Sequence, residues 1–365
     1  MRLLLFSDLH LEARFAWASP EVAAARRDAL RACLRRIAAL AADLGVDAVC
    51  CGGDLYEHDR HRPDTGAFLR DTFAALDPLP VYLAPGNHDW YGPGSIYARQ
   101  AWSPNVHVFG EQRLTPVVLA DGLTLWGAGH HSPTSTPNLL DGFTVDRGGV
   151  HIALFHGAEQ SGIEIEPPEK LRHAPFRAAQ IRESGLHHAL LGHFHTPREA
   201  PEHTYPGNPE PLTFGETGVR GAVVVTVGDD GSVSRQWHPV AVTPVHDVTV
   251  DLTGVAHAQA VQDRVDAASA GLTGLARITL RGEVVPGVAV DPGRLRRPAA
   301  LAGWLVRLGD LTEGYDLVAL AQEQTVRGQF LRDVHGDPSL SEELRRRIVL
   351  TGLRAFDGRE DLAVL

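Results

Sequence analysis

The sequence contains few cysteines and gives no disulfide framework. Only three of its 365 residues are cysteine: Cys33, Cys50 and Cys51. Because this number is odd and two of the three are adjacent within an apolar run, we expect no set of paired cross-links. Cys50 and Cys51 should instead pack as small hydrophobic residues near the end of a strand. These features predict that the chain folds in a reducing compartment.

Long apolar runs and an excess of basic charge are also missing. No stretch approaches the roughly 20 apolar residues that a membrane helix needs, and the apolar opening, residues 1–6, is too short for a signal peptide. We therefore expect a cytoplasmic protein that does not associate with membranes. The formal net charge of -11 provides no long-range attraction for nucleic acid, although bound metals and a local basic patch could still bind DNA.

Short apolar runs alternate with helical patterns in the first part of the chain. The runs predict strands over residues 3–6, 48–51 and 81–84, and the patterns between them predict helices over residues 20–44 and 65–76. This alternation is typical of a parallel α/β sheet. In such sheets ligands bind outside the carboxyl ends of the strands.

Further along the chain the strands become shorter and turns more frequent. Strands are predicted over residues 117–119, 123–126, 150–155, 189–191 and 222–227. The sequence Gly228-Asp229-Asp230-Gly231 predicts a hairpin turn. We expect these strands to form a second sheet that packs on the first, which gives an α/β sandwich.

A change in composition near residues 239–244 indicates a domain boundary. We expect a first domain over residues 1–243 and a small α+β domain over residues 244–325. The small domain should contain a strand, a helix and a second strand, over residues 245–252, 256–270 and 276–280. Past Arg294 the pattern turns helical.

The last part of the chain, residues 326–365, is predicted to be a helical tail. Ser339 and Glu342 have the spacing of a capping box and predict a helix from Ser339 to Ala355. Its apolar stripe would consist of Leu340, Leu344 and Ile348. This stripe could bind a partner or pack on the protein's own core.

Five short polar clusters follow apolar runs that are typical of buried strands. In chain order they are Asp8-Leu9-His10, Gly53-Asp54, Gly86-Asn87-His88-Asp89, His156-Gly157 and Gly192-His193-Phe194-His195. Any one of them alone is an ordinary turn or loop, but all five in order are not expected by chance. Such side chains, gathered at strand ends, can surround two divalent metal ions about 4 Å apart, an arrangement that cleaves phosphate esters.

The predicted ligands combine carboxylate, amide and imidazole groups: Asp8, His10, Asp54, Asn87, His156, His193 and His195. Asp8 and His10 are two residues apart, so both side chains can point to the same side of an extended chain. The two carboxylate oxygens of Asp54 can bridge two cations. A set without thiolate fits Mn²⁺ or Fe²⁺ best, with Zn²⁺ as an alternative, and it argues against a structural zinc site.

His88 is predicted to face the phosphate rather than a metal. It would stabilise charge in the transition state and help to protonate the leaving oxygen. Asp89 would hold the His88 ring in one tautomer and raise its pKa. Arg60 and Arg62 are candidates for contacts with DNA phosphates, and the alternative is a solvated loop. Five further histidines are predicted to be surface or turn residues: His107, His130, His131, His187 and His188.

The five clusters, in this order, resemble the calcineurin-like metallophosphoesterase superfamily over roughly residues 1–240. The resemblance implies a two-sheet β sandwich flanked by helices. It also implies one metal bound by Asp8, His10 and His195 and a second bound by Asn87, His156 and His193. Asp54 would bridge the two ions, and His88 would be the catalytic histidine.

Residues 205–216, YPGNPEPLTFGE, resemble the segment that follows the last ligands in SbcD-type DNA repair nucleases. Residues 8–12 and 53–57 fit the same group, particularly its YhaO-like branch, and residues 326–333 resemble its tail. The resemblance implies a dimeric, manganese-dependent exonuclease and endonuclease with a cap domain. Its partner would be an SbcC-like, Rad-type SMC ATPase with a coiled coil, on which the C-terminal helices dock.

Two other functions are alternatives to the nuclease. The first is a small-molecule phosphodiesterase or phosphatase, for example one that acts on a cyclic nucleotide through the same metal centre. Such an enzyme needs neither residues 205–216 nor an additional domain. The second is a scaffold that only anchors a partner, and the presence of all seven predicted ligands together with His88 argues against it.

Overall fold

The computed structural model describes residues 1–161 and 172–358, and its first elements alternate between parallel strands and helices. They are β1 (Arg2–Phe6), α1 (Pro20–Leu44), β2 (Ala48–Cys51), α2 (Thr65–Ala74), β3 (Val81–Leu83), α3 (Ile96–Arg99) and β4 (Val106–Val108). Strands β1 to β4 pair in parallel, in chain order. The predicted parallel α/β arrangement is confirmed for this part of the chain.

Local sequence sets both ends of helix α1. The Ser19 hydroxyl accepts a hydrogen bond from Val22 N, and Pro20 occupies the first turn, where its missing N–H is not needed. Gly45 ends the helix in the left-handed region, with a φ of 57° that glycine adopts without strain. Between these ends, Leu30 and Leu34 pack in the core on one side of the first sheet.

The second sheet is built from the middle of the chain. Its elements are β5 (Thr115–Ala120), β6 (Leu123–Gly127), β7 (Val150–His156), α4 (Ala178–Glu183), β8 (His188–Gly192), β9 (Arg198–Glu199) and β10 (His203–Tyr205). In the described residues the strand order is β5-β6-β7-β8-β10-β9, with six strands. Strands β6, β7 and β8 run parallel to one another, so their carboxyl ends lie along one edge.

The hairpin that follows belongs to the first sheet, and the prediction that residues 222–227 join the second sheet is wrong. Strands β11 (Gly221–Val227) and β12 (Val233–Pro239) give the first sheet the order β12-β11-β1-β2-β3-β4 among the described residues. β11 runs antiparallel to β1, with Leu4 opposite Val224. The continuous apolar run of β11 fits this central position, but apolar character alone does not choose between two sheets. The hairpin turn itself forms as predicted, with Gly228 N donating to Ser232 O.

The two sheets pack face to face. Alternate residues of β1 point to opposite sides: Leu3 and Leu5 enter the core between the sheets, whereas Leu4 and Phe6 pack with α1. Ile152 and Leu154 of β7 enter the same inter-sheet core. The predicted sandwich of two sheets flanked by helices is thus confirmed.

The chain divides into two compact units. The first takes the described residues of Met1–Asp247 with Leu272–Ala276 and Ala299–Gly303, and the second takes Val248–Gly271, Arg277–Pro298 and the described residues from Trp304 onward. This division does not test the predicted boundaries after residues 243 and 325, which stay predictions. No described helix combines the length and the apolar composition that crossing a membrane requires.

The remaining strands and helices follow β12. They are β13 (Val245–Asp251), α5 (Ala258–Ala268), β14 (Gly274–Val284), a short 3-10 helix (Pro292–Arg294), β15 (Leu301–Glu313), α6 (Leu317–Gln322), α7 (Val326–Gly336) and α8 (Glu342–Phe356). Strands β13, β14 and β15 form a third sheet in that order. The prediction that the chain turns helical directly past Arg294 is wrong, because β15 pairs with β14 and this pairing overrides local helical preference.

Helix α8 begins later than predicted. Its N-cap is Ser341, whose hydroxyl accepts from Leu344 N at 3.2 Å, whereas Ser339 donates to Asp337. Of the predicted stripe, Leu340 lies before the helix, whereas Leu344 and Ile348 lie on it and are half-buried. The buried residues of α8 are Val349 and Leu353, which pack against Leu320 and Leu331 of α6 and α7. Packing on two neighbouring helices selects this face, and the periodicity of α8 alone does not.

Two histidines predicted at the surface lie in the core instead. His130 is buried between Thr136 Oγ1 and His156 O, at 2.8 and 2.7 Å. His188, the first residue of β8, is buried and contacts Thr204 Oγ1 at 2.9 Å. Each is stable there because both ring nitrogens have polar partners. His107 and His131 are exposed as predicted, and His187 is half-buried.

Candidate metal centre

The carboxyl ends of five parallel strands bring the predicted ligands together. Asp8 and His10 follow β1, Asp54 follows β2, Asn87 follows β3, His156 ends β7, and His193 and His195 follow β8. Backbone hydrogen bonds join the first two loops: Asp8 N donates to Gly53 O and His10 N to Asp54 O, each at 2.9 Å. His193 N donates to Asp8 Oδ1 at 3.1 Å, which joins the loops of the two sheets.

The backbone at this edge adopts conformations that non-glycine residues rarely take. Asp8, His10, Asp54 and His193 have φ values of 55°, 49°, 51° and 117°. Such conformations cost free energy and persist where the surroundings enforce them, often at functional sites. Here they turn each side chain out of its strand direction and toward the same point.

Asp8, His10 and His195 form the first ligand group, with potential ligand atoms within 4.8 Å of one another. His10 Nδ1 lies 2.8 Å from Glu57 Oε1, and His195 Nδ1 lies 2.8 Å from Glu216 Oε1. Because a carboxylate oxygen accepts, both Nδ1 atoms carry the proton and both Nε2 atoms keep a lone pair. Among the described residues the buried His10 Nε2 has no hydrogen-bond partner.

The second group surrounds His156, whose ring is fully buried. His156 Nδ1 donates to Gly52 O at 2.9 Å, which leaves a lone pair on Nε2. That Nε2 atom lies 3.1 Å from Asn87 Oδ1 and 3.2 Å from His193 Nδ1. Several electron-pair donors therefore face one another in a buried space, an arrangement that a cation stabilises.

Asp54 stands between the two groups. Its Oδ2 atom lies 3.6 Å from His10 Nε2 and 3.4 Å from His156 Nε2. Burial alone would raise the pKa of Asp54, but the neighbouring histidines, His156 first, and the hydrogen bond from His88 N lower this pKa below its usual range. An ionised carboxylate in this position can serve both groups at once.

These donors fit divalent cations. The set contains carboxylate, amide and imidazole atoms and no thiolate, which suits Mn²⁺, Fe²⁺ or Zn²⁺. A cation-binding site requires electron-pair donors that converge on one point. The lone pair of His10 Nε2 and the nitrogen and oxygen atoms grouped around His156 meet this requirement. The three cysteines take no part, because all are buried and unpaired elsewhere in the fold.

His88 lies beside the first group and remains accessible. Its side chain is 45% exposed, and its ring lies 4.6 Å from the His10 ring in an edge-to-face arrangement. His88 Nδ1 contacts Glu57 Oε2 at 3.1 Å. The charge of Asp54 and, after it, the Glu57 carboxylate raise the pKa of His88 to about 10 against the opposing effect of burial.

Comparison with known proteins identifies the family. The sequence pattern of the calcineurin-like phosphoesterases matches residues 1–197. The chain belongs to this family. No curated protein sequence matches it. Among solved structures, the crystal structure of the protein TT1561 from Thermus thermophilus is similar, with 16% identity, a TM-score of 0.39 and coverage of 65% of this chain and 98% of that one.

Glu57 contacts the His88 ring in the phosphoesterase, and among the described residues the contact predicted from Asp89 is not made. The other part of that prediction holds, because the charge of Asp89 contributes to the raised pKa of His88. One carboxylate oxygen of Glu57 binds His10 and the other binds His88. His10, Glu57 and His88 are close enough to hold a metal, but distances of 2.8 and 3.1 Å are those of hydrogen bonds. Burial would raise the pKa of Glu57, and the hydrogen bonds from His10 and His88 lower it to about 2.

Asp89 instead supports the backbone of the loops that carry the ligands. Its buried carboxylate accepts from Gly86 N at 2.6 Å, Leu55 N at 2.7 Å, Asp54 N at 3.1 Å and Tyr97 Oη at 2.6 Å. Burial and the nearby Asp54 charge raise the pKa of Asp89 to about 6. Sequence adjacency to His88 was misleading, since residues 87–89 form a bend in which the Asp89 carboxylate turns to the loop backbone.

Glu216 is a second orienting residue for which the sequence alone predicted no role. Its Oε1 atom orients His195, and its Oε2 atom accepts from Asn208 Nδ2 at 2.8 Å and Leu212 N at 2.5 Å. Burial would raise the pKa of Glu216, whereas the hydrogen bond from His195 lowers it to about 2. Glu57 and Glu216 lie within segments 53–57 and 205–216. The resemblance of these segments to the nuclease group is the sequence feature that could have indicated a role for both residues.

The two candidate DNA-binding arginines lie outside the ligand groups. Arg62 Nε is 2.9 Å from Glu12 Oε2, and its side chain is 41% exposed. Glu12 is buried two residues after His10 and also binds Arg31, at 2.7 Å. Arg60 is exposed. Arg62 is therefore engaged by a carboxylate, yet part of its side chain still reaches the surface.

Proposed function

We propose that the phosphoesterase is a two-metal-dependent DNA nuclease, with exonuclease and endonuclease activity, that acts in DNA repair. Family membership establishes metal-dependent hydrolysis of phosphoesters. One observation supports the step to DNA: residues 205–216, which resemble SbcD-type nucleases, are built into the metal centre through Glu216 and His195. A loop with this position and sequence is not needed for a small-molecule substrate.

In the proposed centre Asp8, His10 and His195 hold one ion, most suitably Mn²⁺, and Asn87, His156 and His193 hold the other. Asp54, which lies between the groups, serves both. When bound, the ions lower the pKa of the attacking water and neutralise charge on the phosphate. Glu57 keeps the rings of His10 and His88 in place by binding their Nδ1 atoms, and Glu216 does the same for His195.

His88 provides the proton for the leaving oxygen. Its pKa lies well above neutrality, so the ring carries a proton that it can donate as the P–O bond breaks. The hydrogen bond from Nδ1 to Glu57 keeps the other ring nitrogen, Nε2, available for the substrate. The leaving oxygen thus departs as a hydroxyl at the exposed side of the centre.

Exposure around the centre supports a polymeric substrate. The side chains of Asp54 and His156 are 4% and 0% exposed, whereas those of His88 and His195 are 45% and 26% exposed. A phosphate would therefore enter past His88 and His195, and the nucleotides on either side of it could continue into solvent. Arg60 and the exposed part of Arg62 are the proposed contacts for neighbouring phosphates.

A cleavage assay separates this proposal from the small-molecule alternative. The Mn²⁺-loaded protein is incubated with linear duplex DNA, hairpin DNA and a cyclic dinucleotide, and the H88A variant serves as the control for contaminating nuclease. We expect cleavage of one or both DNA substrates by the wild type only. Hydrolysis of the cyclic dinucleotide with no cleavage of either DNA would overturn the nuclease proposal and favour a small-molecule phosphodiesterase.

We also propose that the protein is a homodimer and that an SbcC-like coiled-coil ATPase binds its C-terminal helices. Val318 of α6 and Val326 of α7 are 73% and 76% exposed, whereas Leu353 is buried in the unit's own core. The double variant V318D/V326D should abolish capture of the ATPase without a change in unfolding temperature. Capture equal to that of wild type would refute docking at these residues, and light scattering measures the dimer.

A further inference from the structure

His173 is a buried histidine that none of the predicted ligand groups includes. It is 8% exposed, and its ring lies 5.4 Å from the ring of His193 and 6.1 Å from that of His130. Its Nδ1 atom is enclosed and has no hydrogen-bond partner among the residues that the structure describes. His173 thus places an unpaired polar atom beside a ligand of the metal centre.

An enclosed ring nitrogen without a partner costs free energy and calls for an explanation. Two other buried histidines, His130 and His188, show the contrast. His130 binds Thr136 and a backbone carbonyl, and His188 binds Thr204 and a backbone carbonyl. A histidine that served only to fill space would gain from such partners, or could be replaced by an apolar residue at no loss.

The backbone holds His173 firmly at this position. Ala158 N donates to His173 O at 2.9 Å, so the residue is joined to the loop that follows His156. Ala174 is in the left-handed region with a φ of 43°, and a Cβ at Gly157 would lie 2.8 Å from Ala174 O. The close approach and the strained residue fix the backbone of His173 beside the loop that carries His156.

The placement of His173 parallels that of His88. The His88 ring lies 4.6 Å from His10 of the first group, and the His173 ring lies 5.4 Å from His193 of the second. Neither is counted among the predicted ligands. An imidazole carries at least one N–H donor whether it is neutral or protonated, and an oxygen of a phosphate can accept from it.

We propose that His173 is a substrate-binding residue that donates a hydrogen bond to an oxygen of the phosphoryl group held beside His156 and His193. The inference rests on the proposed phosphoester hydrolysis and applies to any phosphoester that the centre accepts. With His88 on one side of the centre and His173 on the other, the phosphoryl group would be held between two histidines. His173 would act on binding, whereas His88 acts on the leaving oxygen.

The test compares H173F, H173Q and the matched control H131F. Phenylalanine keeps the ring shape and removes both nitrogens, and glutamine restores a donor. His131 is an exposed histidine of the same unit. Each Mn²⁺-loaded variant is assayed for metal content, for the dissociation constant of inorganic phosphate by calorimetry, for KM and kcat with bis(4-nitrophenyl) phosphate, and for unfolding temperature.

H173F should retain its Mn²⁺ and unfold at or above the wild-type temperature, because an unpaired nitrogen has been removed. Its dissociation constant for phosphate and its KM should each rise about 10- to 100-fold, the loss of one hydrogen bond to a charged group. H173Q should recover part of this loss, and H131F should match wild type. If H173F fails to fold, the phosphate dissociation constant of H173Q takes its place. A value above that of wild type supports the proposal, and an unchanged value contradicts it.

Two results would overturn the proposal. Unchanged phosphate affinity in H173F would make His173 a packing residue, and a loss of Mn²⁺ would make it a metal ligand. Both outcomes are independent of the proposed function. If wild type hydrolyses neither the diester nor DNA, the phosphoesterase proposal fails, while the phosphate dissociation constants still report on His173.

Discussion

Two carboxylates near the candidate metal centre have different tasks, although both lie close to the predicted ligands. Glu57 is partly accessible and binds two imidazole rings, of His10 and His88. Asp89 is fully buried and binds backbone N–H groups of the loops that carry Asp54 and Asn87. The first arrangement positions side chains that react, and the second maintains the fold around them.

Replacing each carboxylate by its amide should separate these tasks. E57Q should lower kcat for diester hydrolysis about 10- to 100-fold, comparable to the loss of other orienting partners, with little change in the free energy of unfolding. D89N turns an amide N–H₂ toward backbone donors and should lower the free energy of unfolding by about 1–3 kcal/mol. Urea unfolding and steady-state kinetics measure both quantities. The opposite pattern would return the orienting role to Asp89.

Removal of the His88 imidazole should affect chemistry and leave metal binding intact. H88A should keep its full metal content, because the ring lies beside the ligands and remains exposed. The loss of a general acid should lower kcat about 100- to 10,000-fold. Metal analysis and cleavage of linear DNA test this, with H131A as the control. Unchanged cleavage would show that another group protonates the leaving oxygen.

At the scale of elements, helix α1 anchors the segment 205–216 that carries Glu216. The buried Arg26 of α1 donates to Glu210 Oε1 at 2.8 Å, and the two side chains are 3% and 0% exposed. Glu210 Oε2 accepts from Val242 N at 2.5 Å. A buried ion pair that joins three distant parts of the chain maintains the loop geometry on which the His195–Glu216 contact depends.

Breaking this ion pair should destabilise the protein strongly. E210A leaves the Arg26 guanidinium buried without its carboxylate, and we expect a loss of about 3–5 kcal/mol in the free energy of unfolding. D71A breaks the exposed pair with Arg70, whose side chain is 42% exposed, and should cost at most about 1 kcal/mol. Urea unfolding compares the two. Equal costs would show that the buried pair is not an anchor.

At the scale of the whole molecule, metal binding and stability are linked. The ligands come from both sheets of the sandwich, so a bound cation connects residues from Asp8 to His195 and screens the buried carboxylates. The unfolded chain cannot gather these side chains. Binding therefore stabilises the folded state by mass action.

Removal of metal should lower the unfolding temperature. With free Mn²⁺ about a thousand times above its dissociation constant, each site should add about 4 kcal/mol to the free energy of unfolding. Thermal unfolding with Mn²⁺ and with EDTA measures the shift. D54A should lose at least one ion by metal analysis and also part of the stabilisation. Identical curves with Mn²⁺ and with EDTA in the wild type would contradict a cation site.

The sequence by itself determined the local patterns. Apolar runs and helical periodicity located α1, β1, β2 and most strands of the sandwich to within a few residues, because these patterns record which faces are buried. The five clusters also predicted which side chains the fold brings together, since the chemistry of each side chain and its position after a strand can be read from the sequence. The sequence also predicted both ends of α1, because the effects of Pro20 and Gly45 on the helix depend only on neighbouring residues.

Only the tertiary structure decided how these parts meet. It assigned β11 to the first sheet and made residues 301–313 a strand, since both choices depend on partners far away in the chain. It also gave the orienting role to Glu57 instead of Asp89 and placed His173 beside His193. The contacts of a side chain depend on the path of the folded loops, including the left-handed turns at Asp8 and Asp54, and neighbouring residues do not encode that path.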